Sequence, residues 1–399
     1  MDLKFESVKF FNSQEGKNIL EKYSQLNIND LPALALKLSK QGTLFSSELT
    51  TLLKLRKKSI SKFTRAEKMF FTSDSLEQAS SESMSQYIAK RFKDTIRDGT
   101  VTDLTCGLGA NSIFLAKYFQ LRSVDINKLH LTCAKHNAIV YGVRDNIEFI
   151  EARAEDSIQA SKAYIIDPQR IRFGQTKTRS IFNSRPKIIE LLPKILEQTD
   201  NICIKISPAF DYDEIKQLII SPEIEVISEE NVNKGAFLWF GKFKTVKRRA
   251  SILDAKKTIS FTDNLPIANL DTSLELKKYL FLANKAIIKA NLLDQVAVLY
   301  NLSKLLGNDE FLTADNRGVY PNRVFRGFKI LDYSVFSMRR VKSLVKDKGL
   351  DRAHILSRHF GIKAEDLRLR LKLKEGGKYS LIFTNVNTKR YVILTENVD

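Results

Sequence analysis

The sequence predicts an α/β fold: an open parallel sheet flanked by helices, with a helical N-terminal region before it and small α+β domains after it. Three observations carry this. Residues 101–119 read as strand, tight turn and helix. Residues 100 to about 210 alternate short β-type runs with helical patterns, the signature of a parallel sheet. Polar residues then fall at the C-terminal ends of successive predicted strands, where such sheets bind ligands.

The first element organises the rest. A short apolar run ends in Asp103, and Thr105-Cys106-Gly107-Leu108-Gly109-Ala110-Asn111 follows before a helical pattern begins. Gly107 and Gly109 suit backbone angles that side chains forbid, and they let a ligand approach the main chain. The helix behind them presents free N–H groups. A dinucleotide fingerprint wants a third glycine two residues on, and that position holds Ser112. Asp103 would sit badly beside a pyrophosphate but well beside an ammonium. The second strand, Leu121–Val124, runs into Asp125, an acid that suits a ribose diol.

The remaining strands are expected at Ile147–Ile150, Ala163–Ile166 and Asn201–Ile206, with helices over 112–119, 127–141 and 186–198. Asp103, Asp125, the stretch from Arg153 to Asp156, Asp167 and Ser207 all fall near strand ends. A pair at Ile224–Ser228 and Phe237–Phe243 is expected to close the sheet.

Outside this core, residues 1–95 read as helical. Asn27–Pro32 marks a helix start, with Leu31, Leu34, Ala35 and Leu38 on its apolar face. Leu52–Phe63 combines apolar residues with five cations, either a basic face toward RNA or an ordinary solvated one. Ser80 or Ser81 can cap a helix over Ser83–Phe92. After about residue 250, one helix is expected at Gln295–Leu306. A basic helix spans Asp366–Lys374, and Tyr379–Phe383 with Arg390–Leu394 alternate as a hairpin. The expected divisions are 1–95, 96–250, 251–335 and 336–399.

Length and composition bound the function. The chain has 399 residues, 43% of them hydrophobic, enough for two or three cored domains. No apolar run approaches the ~20 residues that span a bilayer. The first residues lack the basic and apolar regions of a signal peptide. Cys106, Cys133 and Cys203 are too few and too scattered for a disulfide framework or zinc site, and suit a reducing cytoplasm. The four histidines show no metal spacing, so no metal is expected. A net charge of +19 favours a polyanionic partner such as nucleic acid.

The fourth strand ends in Tyr164-Ile165-Ile166-Asp167-Pro168-Gln169-Arg170. The acid, glycine turn and second acid together resemble the cofactor site of class I, Rossmann-like methyltransferases that use S-adenosyl-L-methionine. In those enzymes the end of strand four faces the transferring methyl. Those that methylate exocyclic base nitrogens carry an Asp, Asn or Ser, then two prolines and an aromatic. Here Asp167 and Pro168 match, Gln169 replaces the second proline, and Arg170 replaces the aromatic. A guanidinium can stack on a base and also contact phosphate. Arg172, Lys177 and Arg179 lie in the same loop. The bland alternative is that Asp-Pro merely ends a strand.

The segment Asn137–Ile150 and the Thr105–Asn111 turn resemble trimethylguanosine synthase, the cap guanine-N2 methyltransferase. The whole chain is similar to a family of uncharacterised bacterial methyltransferases. It matches them at Leu76–Glu82, Ile166–Arg170, Lys205–Asp211 and Leu282–Ala290. There the catalytic domain is followed by a ferredoxin-like and a THUMP-like domain. The resemblance implies structured RNA as substrate, guanine N2 first among its nitrogens. It implies Asp167, Pro168 and Arg170 as the catalytic group. It further implies cofactor contacts from Ser81, Asp103, Thr105, Gly107, Gly109, Asn111, Asp125, Ile126, Ala154 and Glu155. An acid that binds the adenine amino group is usual after strand three; that place holds Arg153, with Glu155 and Asp156 following. Two rivals stand: a catalytically silent, cofactor-binding RNA-binding protein, and a methyltransferase of small molecules or proteins.

Overall fold

The structure, a computed structural model, describes residues 2–170, 172–173, 176–177, 180–254 and 257–398; for residues 170, 172, 173, 176 and 177 it describes the backbone alone. Two compact units emerge: Met1–Glu223 with Ala236–Thr245, and Ile224–Gly235 with Val246–Asp399.

The first unit holds a parallel sheet. Its strands are β1 (Thr100–Asp103), β2 (Gln120–Asp125), β3 (Ile147–Glu151), β4 (Ala163–Ile166) and β5 (Ile202–Ile206), in the spatial order β3-β2-β1-β4-β5. Chain order reverses at β1, and a crevice opens at such a switch point outside the strand C-termini. The register brings Asp103 beside Ile165 of β4 and beside Ser123 of β2. Ala236–Trp239 then pairs antiparallel with Cys203–Ile206. β4 is buried along its whole length, as expected for a strand covered on both faces.

The same unit holds helices α1 (Glu82–Thr95), α2 (Ala110–Leu115), α3 (Lys128–Val140) and α4 (Ile188–Leu196). Ser81 caps α1 by accepting from Met84 N, which settles the choice between the two serines. α2 is shorter than the sequence suggests and starts two residues earlier, because Gly109 adopts the left-handed conformation at its N-cap (φ 86°). Asn127 caps α3. Asn137, fully buried on α3, donates to Leu108 O and Phe70 O and accepts from Phe70 N. One side chain thus holds both the glycine turn and the N-terminal region.

That region contributes helices Phe5–Asn12, Gln14–Tyr23, Leu31–Lys40 and Ser46–Ser59. Their apolar faces, Leu31, Leu34 and Leu38 included, form one core that also takes in Cys133 of α3. The basic stretch Leu52–Phe63 is only partly a surface. Arg56 is buried and donates to Met69 O and Lys68 O, and burial lowers its pKa to about 10. Lys62 donates to Leu76 O. These two cations brace the chain rather than offer an RNA face.

The second unit pairs Ile224–Glu229 in parallel with Arg248–Leu253, whose residues Arg249–Ile252 pair antiparallel with Ile259–Thr262. It also contains an eight-stranded sheet. The hairpin expected near the C-terminus is present, longer than foreseen, as Tyr379–Val386 against Lys389–Asn397. Helices Met338–Asp347 and Ala364–Leu371 bury Val341, Leu344, Leu367 and Leu371 with Leu381, Phe383, Val392 and Leu394 of that hairpin.

Three expectations need correction. The helix expected at Gln295–Leu306 is Leu293–Leu299; Asn301 turns left-handed (φ 53°) and Ser303–Leu305 is a strand. The strand expected at Phe237–Phe243 is Val232–Trp239, followed by a 3-10 turn at Gly241–Phe243. The basic helix ends at Leu371 because Lys372 adopts φ 54°.

Candidate cofactor and acceptor site

Asp103 ends β1 and is 2% exposed. Its carboxylate accepts from Ser112 Oγ at 2.7 Å and from Thr105 N at 3.2 Å, and Ser123 Oγ donates onward to Ser112 Oγ at 2.9 Å. Burial pushes the Asp103 carboxyl up to about 7; the neighbouring charges of Asp167 and Asp125 add to the rise, and the two hydrogen bonds oppose it. Ser112, where a dinucleotide site would need glycine, is therefore the residue that orients the acid.

Asp125 ends β2. Oδ2 accepts from Gly107 N and Oδ1 from Asn127 N, both at 2.8 Å, and His130 Nδ1 lies 3.9 Å from Oδ1. Each carboxylate oxygen keeps a further lone pair for a diol. Gly107 has φ 55°, and a Cβ built there would meet nothing within 4 Å: open space faces the turn. Gly109 is different, since its Cβ would lie 3.2 Å from Ala134 Cβ, so this glycine serves helix packing. Ile126, beside Asp125, is 69% exposed, an apolar face next to the diol acid. Ala154 is buried in a 3-10 turn after β3, and Glu155 lies 3.6 Å from Arg153. Asn111 is buried and accepts from Ser85 Oγ. Ser81 Oγ shares a hydrogen bond with Ser83 Oγ besides capping α1.

The acceptor side begins where β4 ends. Asp167 N donates to Thr105 Oγ1 at 2.7 Å, so the residue after Ile166 is tied to the glycine turn. Its Oδ2 lies 2.6 Å from Lys205 Nζ. Pro168 is half-buried; Gln169 and Arg170 pair antiparallel with Arg185 and Ser184. The Arg170, Arg172 and Lys177 side chains and all of Arg179 lie outside the described residues.

Sequence reading takes Ser80 only as a candidate cap and Lys205 only as part of a matching segment, yet the Ser80 hydroxyl accepts from Lys205 at 3.1 Å beside Asp167. A signal existed: Lys205 is a lone cation in the apolar run Ile202–Ile206, and such a charge is almost never buried unpaired. Among the described residues no cluster could hold a metal ion, and no helix is long and apolar enough to cross a membrane.

Residues 98–187 match the family described as RNA cap guanine-N2 methyltransferase, and residues 325–397 match that described as THUMP domain-like. Switch-point fold, glycine turn and these matches define the class: an S-adenosylmethionine-dependent methyltransferase with a THUMP-like domain toward its C-terminus. Within it, the chain is 26% identical over 321 residues to an uncharacterized S-adenosylmethionine-dependent methyltransferase of Mycobacterium tuberculosis, covering 79% of this chain and 84% of that one. Trimethylguanosine synthase of Schizosaccharomyces pombe is 33% identical over 87 residues, 21% of this chain and 36% of that protein. The crystal structure of a Porphyromonas gingivalis protein called a "putative methyltransferase" shares the fold over 100% of both chains, with a TM-score of 0.75 at 19% identity.

Proposed function

We propose that this protein methylates an exocyclic base nitrogen in structured RNA, with guanine N2 the favoured target. The observation that carries the reading is Asp167-Pro168 at the end of β4, joined to the glycine turn through Thr105. S-adenosylmethionine supplies, when bound, a methyl group on a sulfonium. Asp103 would accept from its ammonium, the Gly107 turn would leave it room, and Asp125 would accept from the ribose hydroxyls. Ile126, Ala154 and Glu155 would hold the adenine end, and Ser81, Thr105 and Asn111 would complete the cofactor contacts.

Asp167 and the Pro168 carbonyl region accept from the target amino group and leave its lone pair facing the methyl. That lone pair would take the methyl as the sulfur leaves, and the surplus proton would pass to water. Positioning supplies most of the rate in such an in-line transfer. The net charge of +19 and the THUMP-like domain, with Arg370, Lys372 and Lys374 exposed, support RNA as the partner. The divisions at about 95, 250 and 335 are retained as part of this reading.

A second reading, a silent cofactor-binding RNA-binding protein, is favoured by Gln169 and Arg170 where a proline and an aromatic would stand. One experiment separates them. Full-length protein is incubated with methyl-labelled S-adenosylmethionine and total RNA from a strain lacking the gene, and the nucleosides are analysed by mass spectrometry. N2-methylguanosine is expected. Salt-sensitive RNA binding without label in RNA points to the silent reading, and label in protein or small molecules alone refutes RNA as acceptor.

A further inference from the structure

β5 is apolar except at Lys205, whose side chain is 12% exposed. Its ammonium reaches Asp167 Oδ2 at 2.6 Å and Ser80 Oγ at 3.1 Å. Ser80 is itself buried and directly precedes Ser81, the cap of α1. Three pieces of chain therefore meet at one ammonium: the end of β4, the end of β5 and the segment leading into α1. Asp167 is fixed twice, through its backbone N to Thr105 and through its carboxylate to Lys205. With Oδ2 engaged by the ammonium, the carboxylate cannot swing without breaking a charge-assisted hydrogen bond.

We infer that Lys205 is a positioning residue for methyl transfer: its ammonium locks the Asp167 carboxylate and the Ser80 hydroxyl into one arrangement, so the group that orients the acceptor is set relative to the cofactor side of the pocket. This rests on Asp167 as the acceptor-orienting group proposed above. A merely structural ion pair would affect melting temperature alone. A positioning pair also affects the transfer step and the electrostatics of the cofactor acid.

The second effect follows from the charges that face one another. Asp103, Asp125 and Asp167 stand at the C-terminal ends of the neighbouring strands β1, β2 and β4, with His130 of α3 near Asp125 and Lys205 of β5 on Asp167. The Asp167 charge is one of the causes that raise the Asp103 carboxyl. Lys205 offsets that charge. Without it, Asp103 must ionise at higher pH, and binding of an ammonium-bearing ligand must develop at higher pH too.

The test compares wild type, Lys205→Met and Lys205→Arg in the full chain. Two quantities are read: the single-turnover rate of label transfer to total RNA from the deletion strain, and the pH midpoint at which S-adenosylhomocysteine affinity develops. Lys205→Met should lower the rate roughly 30-fold or more with RNA affinity nearly unchanged, the pattern of an interaction used in the transition state. Its midpoint should move up. Lys205→Arg, which keeps the charge, should recover much of the rate and hold the midpoint. Should Lys205→Met fail to fold, Lys205→Gln gives the same two readouts. A folded variant with wild-type rate and midpoint overturns the inference. If wild type moves no label into RNA, the RNA reading falls instead. The midpoint then decides alone: an upward shift supports Lys205, and an unchanged one overturns it.

Discussion

The two carboxylates at the ends of β1 and β2 are gripped by their surroundings. Asp103 accepts from a backbone N–H and from a serine that is itself held by another serine; Asp125 accepts from two backbone N–H groups. The carboxylate at the end of β4 is held otherwise. Asp167 donates its own backbone N–H to Thr105, and its side chain rests on one lysine. The cofactor side is thus preorganised by main chain and by hydroxyls whose reach is short. The acceptor side depends on a long, charged side chain from a neighbouring strand. Main-chain donors survive side-chain substitution, proline excepted, so damage to the cofactor side should appear as graded loss of affinity. Damage to the acceptor side should appear in the rate.

The largest expected effect tests that division directly. Asp167→Ala should reduce turnover by roughly a hundredfold or more, the usual worth of a positioned group, while affinities for cofactor and RNA measured above about pH 7, where Asp103 is ionised either way, change little. Single-turnover kinetics on the full chain measures it. Wild-type turnover in this variant would make the Asp167 loop structural and erase the contrast between the two sides.

Next in size is Asp125→Ala, which removes the acceptor of Gly107 N and the proposed partner of the ribose diol. Affinity for S-adenosylhomocysteine should fall by about 1.5–3 kcal/mol, the range for hydrogen bonds to a charged group. Calorimetry on the folded variant is the measurement. Unchanged affinity would leave Asp125 as a turn-bracing residue and shift the weight of cofactor recognition to Asp103.

Much of this was legible in the sequence, and the parts that were not share a cause. Alternating apolar runs, the two glycines and the acids at strand ends place β1 to β5 and three of the site's carboxylates, because these signals are local. The role of Ser112 was read as an absence, a missing glycine, when its hydroxyl holds Asp103. The Lys205–Asp167 pair spans 38 residues and depends on β4 and β5 being neighbours, a fact of sheet order rather than of periodicity. Arg56 shows the converse error. In a run of five cations it looked like surface, yet backbone carbonyls 12 and 13 residues away draw it inside. Helix ends after Leu299 and Leu371 were missed because Asn301 and Lys372 turn left-handed where the apolar pattern continues.

The smallest expected effect concerns pH, and it sharpens the comparison most. The Asp103 carboxyl sits at about 7, raised first by burial and then by its acidic neighbours. In the cofactor-free protein it is mostly protonated below that pH. An ammonium ligand needs the carboxylate. Affinity for S-adenosylhomocysteine should therefore climb about tenfold per pH unit below 7 and level off above it, with a proton released on binding. The stability of the free protein runs the other way. An unfolded aspartate ionises near 3.9, so between about 4 and 7 the folded chain keeps a proton that the unfolded chain has lost. Stability from this group is therefore highest below about 4, declines as pH rises to about 7, and is flat beyond. Asp103→Asn should remove both slopes: weak binding at every pH, and a melting temperature less sensitive to the rise from about pH 5 to 8 than that of wild type. Asp167→Ala should keep the slope but shift its midpoint down, because one of the charges that raise Asp103 is gone. Melting curves and calorimetry across that range measure all three proteins. An affinity that stays flat through pH 7 in the wild type would mean that Asp103 is not the acceptor of the ammonium. The tight hydroxyl network around it would then serve the turn rather than the ligand.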